Sequence, residues 1–287
     1  MTDLLRNTHR SLIAINGKDN FNFLQGLISN DIHKLNHNNC LYAAFLTAQG
    51  KYLYDFFLLY QNDTIYIDCH TQQKDSLIKR LGFYKLRSQV VIQDISNNWV
   101  IGYIYDSQSP KLFDLKDQVG YTKDIQHSII SIDPRNKKLG FRLYIPKSEY
   151  SDFISKFSLT ELNDDTNYER LRINLAVPDG TKDLIPEKST LLDYGFDHLN
   201  AIDWNKGCYI GQELTARMHY RALTKKALYT VHLKGLPPEI GTIIMHNDQE
   251  AGEMKSSIQN IGLALLRKEI IDMNIKHFIA NDTTISL

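Results

Sequence analysis

Cys208 is the residue whose setting most clearly suggests chemistry, and it lies in the segment NKGCYIGQEL (205–214). A cysteine reacts or binds metal as the thiolate, and a free thiol with a pKa of roughly 8.5 is mostly protonated at neutral pH. Lys206 supplies a nearby positive charge, and a helix beginning just after Gly211 would direct its N-terminal amides toward the thiol. The segment therefore predicts a functional thiol at Cys208, which Lys206 favours as the thiolate and Glu213 opposes.

The other two cysteines, Cys40 and Cys69, lie in apolar stretches that read as strands, where a small buried side chain is the usual role. Without any C-x-x-C pair, the three thiols predict neither a zinc site nor a disulfide framework. A simpler interpretation of the Cys208 segment is a tight glycine loop that plugs the core before a helix. Two glycines, a lysine and a Gln-Glu pair within eight residues are more than such a turn requires, which favours a functional role.

Composition excludes several classes of protein. Lysine plus arginine (33) balance aspartate plus glutamate (33) over the 287 residues, so nucleic acid is not expected as a partner. No apolar run approaches the roughly 20 residues that span a bilayer, so a soluble protein without a membrane partner is expected. The first twenty residues resemble neither a secretory signal nor a transit peptide, which predicts a cytoplasmic location.

Hydrophobic patterning predicts an α+β fold. An apolar strand at Ser11–Ile15 is followed by a short helix with Asp19 as its N-cap, and then by a three-stranded meander built from CLYAAFL, KYLYDFFLLY and IYID. Helices are predicted at about Gln72–Leu81 and from Gln212 to Tyr220. Short strands separated by Gly and Asn-Asp turns after Arg221 predict a small all-β terminal domain.

KGCYIGQELTAR closely resembles the signature of the YgfZ-type folate-binding proteins, a family implicated in iron-sulfur cluster assembly. Four further segments agree with that family in order, so the resemblance covers most of the chain: FLQGLISNDI (23–32), AAFLTAQGK (43–51), YKLRSQV (84–90) and VPDGTKDLIPE (177–187). The sequence departs from the family pattern at Ala48, where proline is common, at Leu191-Leu192-Asp193, and at Arg221, where glycine is frequent. These departures concern the rim of the expected pocket.

The family is similar in fold to the aminomethyltransferase of the glycine cleavage system, GcvT. The resemblance implies an α+β GcvT-like folate-binding body of ring-arranged subdomains over residues 1–224, and a small β-barrel-like domain over 225–287. Within the body, residues 1–48 with 140–224 would form one discontinuous subdomain, and 49–139 another.

The resemblance also implies a site for tetrahydrofolate or a related folate. Asn30, Asp31, Gln49 and Lys51 lie in family-like motifs and could present polar groups to it. Arg217 heads a basic cluster that could receive the folate's glutamate tail or an acidic partner, or could simply be a solvated face that pairs with Glu213. Beside Lys206 and Cys208, the motif residues are Gly207, Tyr209, Gly211, Gln212 and Glu213.

A [2Fe-2S] or [4Fe-4S] cluster normally takes four cysteine thiolates, and this chain offers one good candidate. The preferred hypothesis is therefore an accessory factor in cluster assembly or repair, in which Cys208 shares a transient cluster with an A-type carrier or scaffold protein. An alternative is a folate-dependent aminomethyltransferase-like enzyme that uses Asp31 or Asp193. A third reading pairs a nucleophilic Cys208 with His198 or His219, although His219 would lie about 10 Å along the helix from its start.

Overall fold

The computed structural model of the protein describes residues 2–105 and 112–287. The chain divides into two compact units. The first unit is Met1–Leu46, Tyr54–Asp165 and Leu199–Ile210, and the second is Thr47–Leu53, Thr166–His198 and Gly211–Leu287. The subdivision of the body proposed from the sequence concerns smaller subdomains and stays a prediction. No helix within the described ranges is both long and apolar enough to cross a membrane.

Two sheets form the frame of the first unit. Their strands are, in chain order, β1 (Thr2–Arg6), β2 (Arg10–Asn16), β3 (Leu41–Leu46), β4 (Tyr52–Gln61), β5 (Thr64–His70), β6 (Val91–Asp94), β7 (Trp99–Ile104), β8 (Thr122–Ile125), β9 (Ser128–Ile132), β10 (Phe141–Pro146) and β11 (Leu159–Leu162). One sheet has the order β11-β1-β7-β10-β9-β8 and the other β3-β4-β5-β2-β6. The predicted meander is present as the neighbours β3, β4 and β5.

The apolar run in β4 explains its central place. Its first eight residues, from Tyr52 to Leu59, are all buried, so both faces of the strand are covered. A strand with one face in water would alternate polar and apolar residues, whereas a strand buried on both faces reads as a continuous apolar run. Asp55 and the neighbouring Asp68 of β5 are the exceptions, as carboxylates inside buried strands.

The helices of the described residues are short. They are α1 (Asn20–Gln25), α2 (Lys74–Lys85), α3 (Tyr150–Lys156), α4 (Thr166–Asn174), α5 (Gln212–Tyr220) and α6 (Lys268–Asp272). Helix α5 has the predicted bounds, and α2 begins later and runs four residues further than predicted. Asp19 precedes α1 but makes no side-chain capping bond; its carboxylate instead accepts a hydrogen bond from the Gln89 amide (2.7 Å).

A closed barrel ends the second unit and confirms the predicted C-terminal β domain. Its strands are β12 (Lys226–Lys234), β13 (Ile243–His246), β14 (Gln249–Ile258), β15 (Ile261–Arg267), β16 (His277–Ala280) and β17 (Thr283–Ser286), in the order β12-β15-β14-β13-β16-β17. The buried Asp183 links the loop after α4 to this barrel. It accepts from the Ser256 amide (2.7 Å) and hydroxyl (2.6 Å) and pairs with Arg172 (3.1 Å).

Inside the first unit, a buried ion pair joins the two sheets. Arg142 of β10 pairs with Asp68 of β5, and both side chains are almost fully buried. Arg10 pairs with the other oxygen of Asp68 (2.6 Å), and the Tyr144 hydroxyl donates to that carboxylate (2.8 Å). The Arg142 guanidinium also lies 3.5 Å above the centre of the Phe57 ring. Each charge is thus met by a partner, as burial requires.

We expect Asp68→Asn to destabilise the fold by about 3–5 kcal/mol, because it removes the buried carboxylate that pairs with Arg10 and Arg142 and leaves Arg142 with the more distant Asp133 (3.5 Å). Burial disfavours the carboxylate, but Arg10 and Arg142 outweigh it and hold the pKa of Asp68 below its usual range. The contribution is therefore complete above pH ~4 and falls as pH drops through the lowered folded-state value. Urea unfolding of both proteins at several pH values measures the difference.

Asp94→Asn is the matched control, because Asp94 pairs with Lys74 at the surface of the same unit. It should cost less than about 1 kcal/mol. A D68N penalty as small as that of D94N, or one unchanged from neutral to acid pH, would contradict the role given to the buried pair.

Candidate functional site

The loop that carries Cys208 is fastened to the segment around the end of α1. The Ser29 hydroxyl donates to the Ala201 carbonyl (2.6 Å), and the Asp203 amide donates to the Ser29 carbonyl (3.1 Å). Further along, the Ile210 amide donates to the Gly26 carbonyl (3.0 Å). Two of the segments that carry the family resemblance, 23–32 and the cysteine motif, are therefore bound to each other within the first unit.

Lys206 is the strongest of these fastenings. Its Nζ donates to the carbonyls of Gln25 (2.8 Å), Ile28 (2.6 Å) and Asn30 (2.8 Å). An ammonium has three hydrogens, so all of them are committed to this segment. Burial lowers the pKa of the Lys206 ammonium to about 8, while the three acceptors favour the protonated form.

This geometry differs from the role predicted for Lys206. The sequence suggested that its charge favours a thiolate at Cys208, but the ammonium points to backbone oxygens and also lies 4.8 Å from the centre of the Tyr209 ring. Lys206 therefore acts chiefly by fixing the shape of the loop. The local spacing could not show this, because the three acceptors are more than 170 residues away in the sequence.

Cys208 itself is exposed, between the two anchored residues Lys206 and Ile210. Gly207 beside it has no steric need to be glycine, since an added Cβ would meet nothing within 4 Å. Gly211 differs, because it begins α5 with a φ of 81°, a left-handed conformation that favours glycine. The thiol thus lies on an open, firmly held turn.

The turn TAQG is packed against the start of α5 in the second unit. A Cβ on Gly50, which has a φ of 80°, would lie 2.6 Å from the Leu214 Cβ and 2.7 Å from the Gly211 carbonyl oxygen. Only glycine permits this approach, because real Cβ contacts are not that short. Gln49 is exposed and Lys51 half-buried on this turn, so their motif adjoins that of Gln212 and Glu213.

Asn30 and Asp31 use their side chains locally. The buried Asn30 amide group donates to the carbonyls of Tyr42 and Asn200, both at 2.8 Å, and its oxygen accepts from the Asp31 amide. Asp31 accepts from the His33 amide (3.0 Å) and so caps the short turn that follows. The structure gives both residues a structural role at the segment that Lys206 holds.

The remaining candidates lie in the second unit. Arg217 and Glu213 are exposed on α5 and form no ion pair with each other or with any other described residue, so the pairing considered from their spacing is absent. His219 is in the last turn of α5, as predicted. Asp193 accepts from the Thr190 hydroxyl (2.6 Å), and His198 is exposed beside Asp197.

Cys40 and Cys69 are buried in the first unit, as predicted. Burial raises the pKa of each thiol to about 12. With 2% and 0% of their surface exposed, neither Cys40 nor Cys69 can contact a cluster held by another protein while the chain is folded. Cys208 is the thiol that another molecule can reach.

One polar cluster was missed from the sequence. The buried Asp55 accepts from the Tyr42 hydroxyl (2.8 Å), and the Arg135 guanidinium lies 5.6 Å from the centre of the Tyr42 ring. Arg135 also pairs with Asp133 (2.8 Å). The signal that could have found it is the single carboxylate of Asp55 within an otherwise apolar strand, because such a group needs a partner.

Comparison with known proteins defines the architecture first. The structure matches the glycine cleavage system aminomethyltransferase T from Bartonella henselae with a TM-score of 0.80, over 100% of this chain and 84% of that one, at 12% sequence identity. Residues 225–287 match the family model described as CAF17, C-terminal beta-barrel domain. The chain therefore has a GcvT-like fold that ends in a barrel of the CAF17 type, which confirms the predicted fold class.

Sequence relatives of the chain indicate a function as well as a fold. The chain is 27% identical to an iron-sulfur cluster assembly factor IBA57 homolog of Mycosarcoma maydis, over 94% of this chain and 77% of that protein. It is 29% identical to the mouse and human proteins named iron-sulfur cluster assembly factor IBA57, in each case over 91% of this chain and 76% of the relative. The resemblance seen in the sequence is thus to an assembly-factor group, and IBA57 is the name that these relatives carry.

The predicted cytoplasmic location was wrong. The fungal, mouse and human relatives are all named as mitochondrial proteins, which points to mitochondria. The prediction rested on the first twenty residues, and the strands β1 (Thr2–Arg6) and β2 (Arg10–Asn16) lie among them.

We expect Lys206→Met to destabilise the protein by about 2–4 kcal/mol, because it removes three charge-assisted hydrogen bonds and leaves three carbonyls without their donor. Lys206→Arg should not restore stability, because a planar guanidinium cannot match acceptors arranged around one ammonium. Lys138→Met, on the surface of the same unit, should change little. Equal thermal stability of the K206M and K138M proteins would contradict the anchoring role of the three Lys206 hydrogen bonds.

Proposed function

We propose that this protein is an accessory factor in the assembly or repair of iron-sulfur clusters, and that Cys208 provides one ligand to a cluster carried by another protein. The proposal extends to this chain the role that its relatives' name, iron-sulfur cluster assembly factor, gives to them. The YgfZ-type cysteine motif supports the same assignment.

The observation that carries the proposal is the contrast between the three thiols. Cys208 is exposed on an anchored turn, whereas Cys40 and Cys69 are buried, and burial raises the pKa of both thiols. A cluster that normally takes four thiolates must then obtain its other ligands from a second molecule. An A-type carrier, already holding the cluster, is the partner we propose.

The chemistry required of Cys208 is ligand exchange. Its sulfur forms one Fe–S bond as one bond from iron to a carrier ligand breaks, and the thiol proton goes to solvent. No electron is transferred in this step. Cys208 is exposed, and a Cβ added to the neighbouring Gly207 would meet nothing within 4 Å, so the sulfur is open to approach.

We further propose that the second unit binds folate through the turn and helix that carry Gln49, Lys51 and Arg217. These side chains have no ion pair among the described residues, and Gly50 packs their turn onto the start of α5. A cation suits the carboxylates of a folate tail. Asn30 fits less well, because its amide is already fully bonded to backbone groups.

Anaerobic reconstitution with a purified A-type carrier tests the thiol role. We expect the wild-type protein with the carrier to retain a [2Fe-2S] cluster that absorbs visible light, and Cys208→Ser to reduce that absorption and to fail to restore [4Fe-4S] enzyme activity in cells lacking the native protein. Cys69→Ala is the matched control and should retain both. Full rescue of cells by C208S would exclude a role for this thiol.

Titration with tetrahydrofolate tests the folate proposal. We expect Lys51→Met and Arg217→Met each to weaken binding by roughly fivefold to tenfold, because each removes a charge-assisted contact of about 1–1.5 kcal/mol. Lys188→Met, exposed in the same unit, should bind as the wild type does. If all four proteins bind equally, or none binds, the assignment of this site is incorrect.

A further inference from the structure

The end of α2 exposes large apolar side chains to an unusual degree. Phe83 is 74% exposed and Leu86 is 87% exposed, although both belong to residue types that ordinarily contribute to a core. Lys79, one turn before Phe83 on the helix, is exposed, and Lys85 and Arg87 flank the leucine. We call these five residues the α2 corner.

The backbone holds Leu86 in this position against its own preference. It ends α2 with a φ of 43° and a ψ of −112°, a combination that glycine adopts freely and a residue with a Cβ does not. Glycine is also the common residue just past a helix end. A strained, solvent-exposed leucine is a reason to look for a function at the site.

The corner is positively charged. Lys79, Lys85 and Arg87 form no ion pair among the described residues. A further cation, the exposed Lys18, directly precedes Asp19 in the chain. Leu86 and Arg87 line a shallow depression of about 670 Å³ together with Asp19 and Ser88. The Asp19 carboxylate there is already bonded to the Gln89 amide. An apolar centre with arginine and an aromatic ring is typical of protein interfaces.

The corner lies close to the Cys208 loop within the first unit. Asp19 immediately precedes α1, and the residues at the other end of that helix, Gln25 and Gly26, bind Lys206 and Ile210. Helix α1 has six residues, so it is about 9 Å long at 1.5 Å per residue. Helix α1 therefore connects the edge of the corner, at Asp19, to the segment that anchors the Cys208 loop.

We propose that the α2 corner is the docking surface for the cluster-bearing carrier protein, through a carrier face that is acidic around an apolar centre. This inference rests on the proposed function of Cys208 and specifies how the partner is held. Phe83 and Leu86 supply the apolar contact, and the cations orient the acidic rim of the carrier. A carrier that is docked in this way presents its cluster to Cys208, which lies in the same unit.

The test measures affinity for a purified A-type carrier with its [2Fe-2S] cluster, by anaerobic calorimetry. We expect Leu86→Gly and Phe83→Ser each to raise Kd by about tenfold or more, as for apolar anchors at the centre of an interface. Leu236→Gly is the matched control, because Leu236 is also 87% exposed but lies in the second unit; its Kd should not change. Arg87→Glu should weaken binding most at low salt.

Leu86→Gly also separates binding from folding, because relief of the strained backbone should leave Tm unchanged or raise it. Unchanged Kd for both L86G and F83S would overturn the proposal, as would equal loss with L236G. Binding of the wild-type corner to phosphatidylglycerol vesicles, lost in L86G while carrier affinity stays intact, would assign the surface to lipid instead and likewise overturn it.

The two proposals fail separately. If C208S keeps the shared cluster while L86G weakens carrier binding, the role of the thiol is wrong and the docking surface stands. If C208S loses the cluster while both L86G and F83S bind the carrier normally, the docking surface is wrong and the role of the thiol stands.

Discussion

The buried pair of Asp68 and Arg142 is the contact on which the first unit depends. It joins β5 of one sheet to β10 of the other, and Arg10, at the start of β2, shares the same carboxylate. Because β2 leads directly into α1, fixing β2 also fixes the helix whose end receives the Cys208 loop. The Asp68 carboxylate therefore links the two sheets at one defined point, because it pairs with a guanidinium group from each of them.

Lys206 shows that a charge close to a thiol can fix the backbone of the loop and not activate the sulfur. Its position two residues before Cys208 suggests electrostatic activation, but a buried ammonium that is surrounded by three carbonyls has little left to offer a neighbour. The reactive group is thus placed by the backbone. The backbone also does the positioning at Gly50 and Gly211, where its conformation, and not a side-chain contact, brings the TAQG turn to the start of α5.

Elements with a strong local pattern were predictable from the sequence. The meander, α5 and the all-β character of the terminal domain each follow from apolar periodicity and turn residues, whereas the GcvT-like fold and the barrel came from the family resemblance. Three features were not predictable, because the interacting residues lie far apart in the chain. They are the three hydrogen bonds of Lys206, the cluster around Asp55 and the ion pairs of Asp68. Isolated charges inside apolar strands, at Asp55, Asp68 and Arg142, were the available sign that partners existed. The compartment was predicted wrongly because the first twenty residues resemble neither a secretory signal nor a transit peptide, and a cytoplasmic location was inferred from that absence.

The fastening of the chain on both sides of Cys208 has a consequence for speed. With Lys206 and Ile210 fixed, the sulfur can move chiefly by rotation about its own side-chain bonds. The conformational entropy of that turn was therefore lost when the chain folded, and none of it needs to be lost again on contact with a partner. A free loop would have to sample many backbone arrangements during each encounter. Here the backbone is already fixed, so the sulfur has only its side-chain rotamers to sample. The lifetime of the encounter, not the motion of the loop, then sets the time available for exchange.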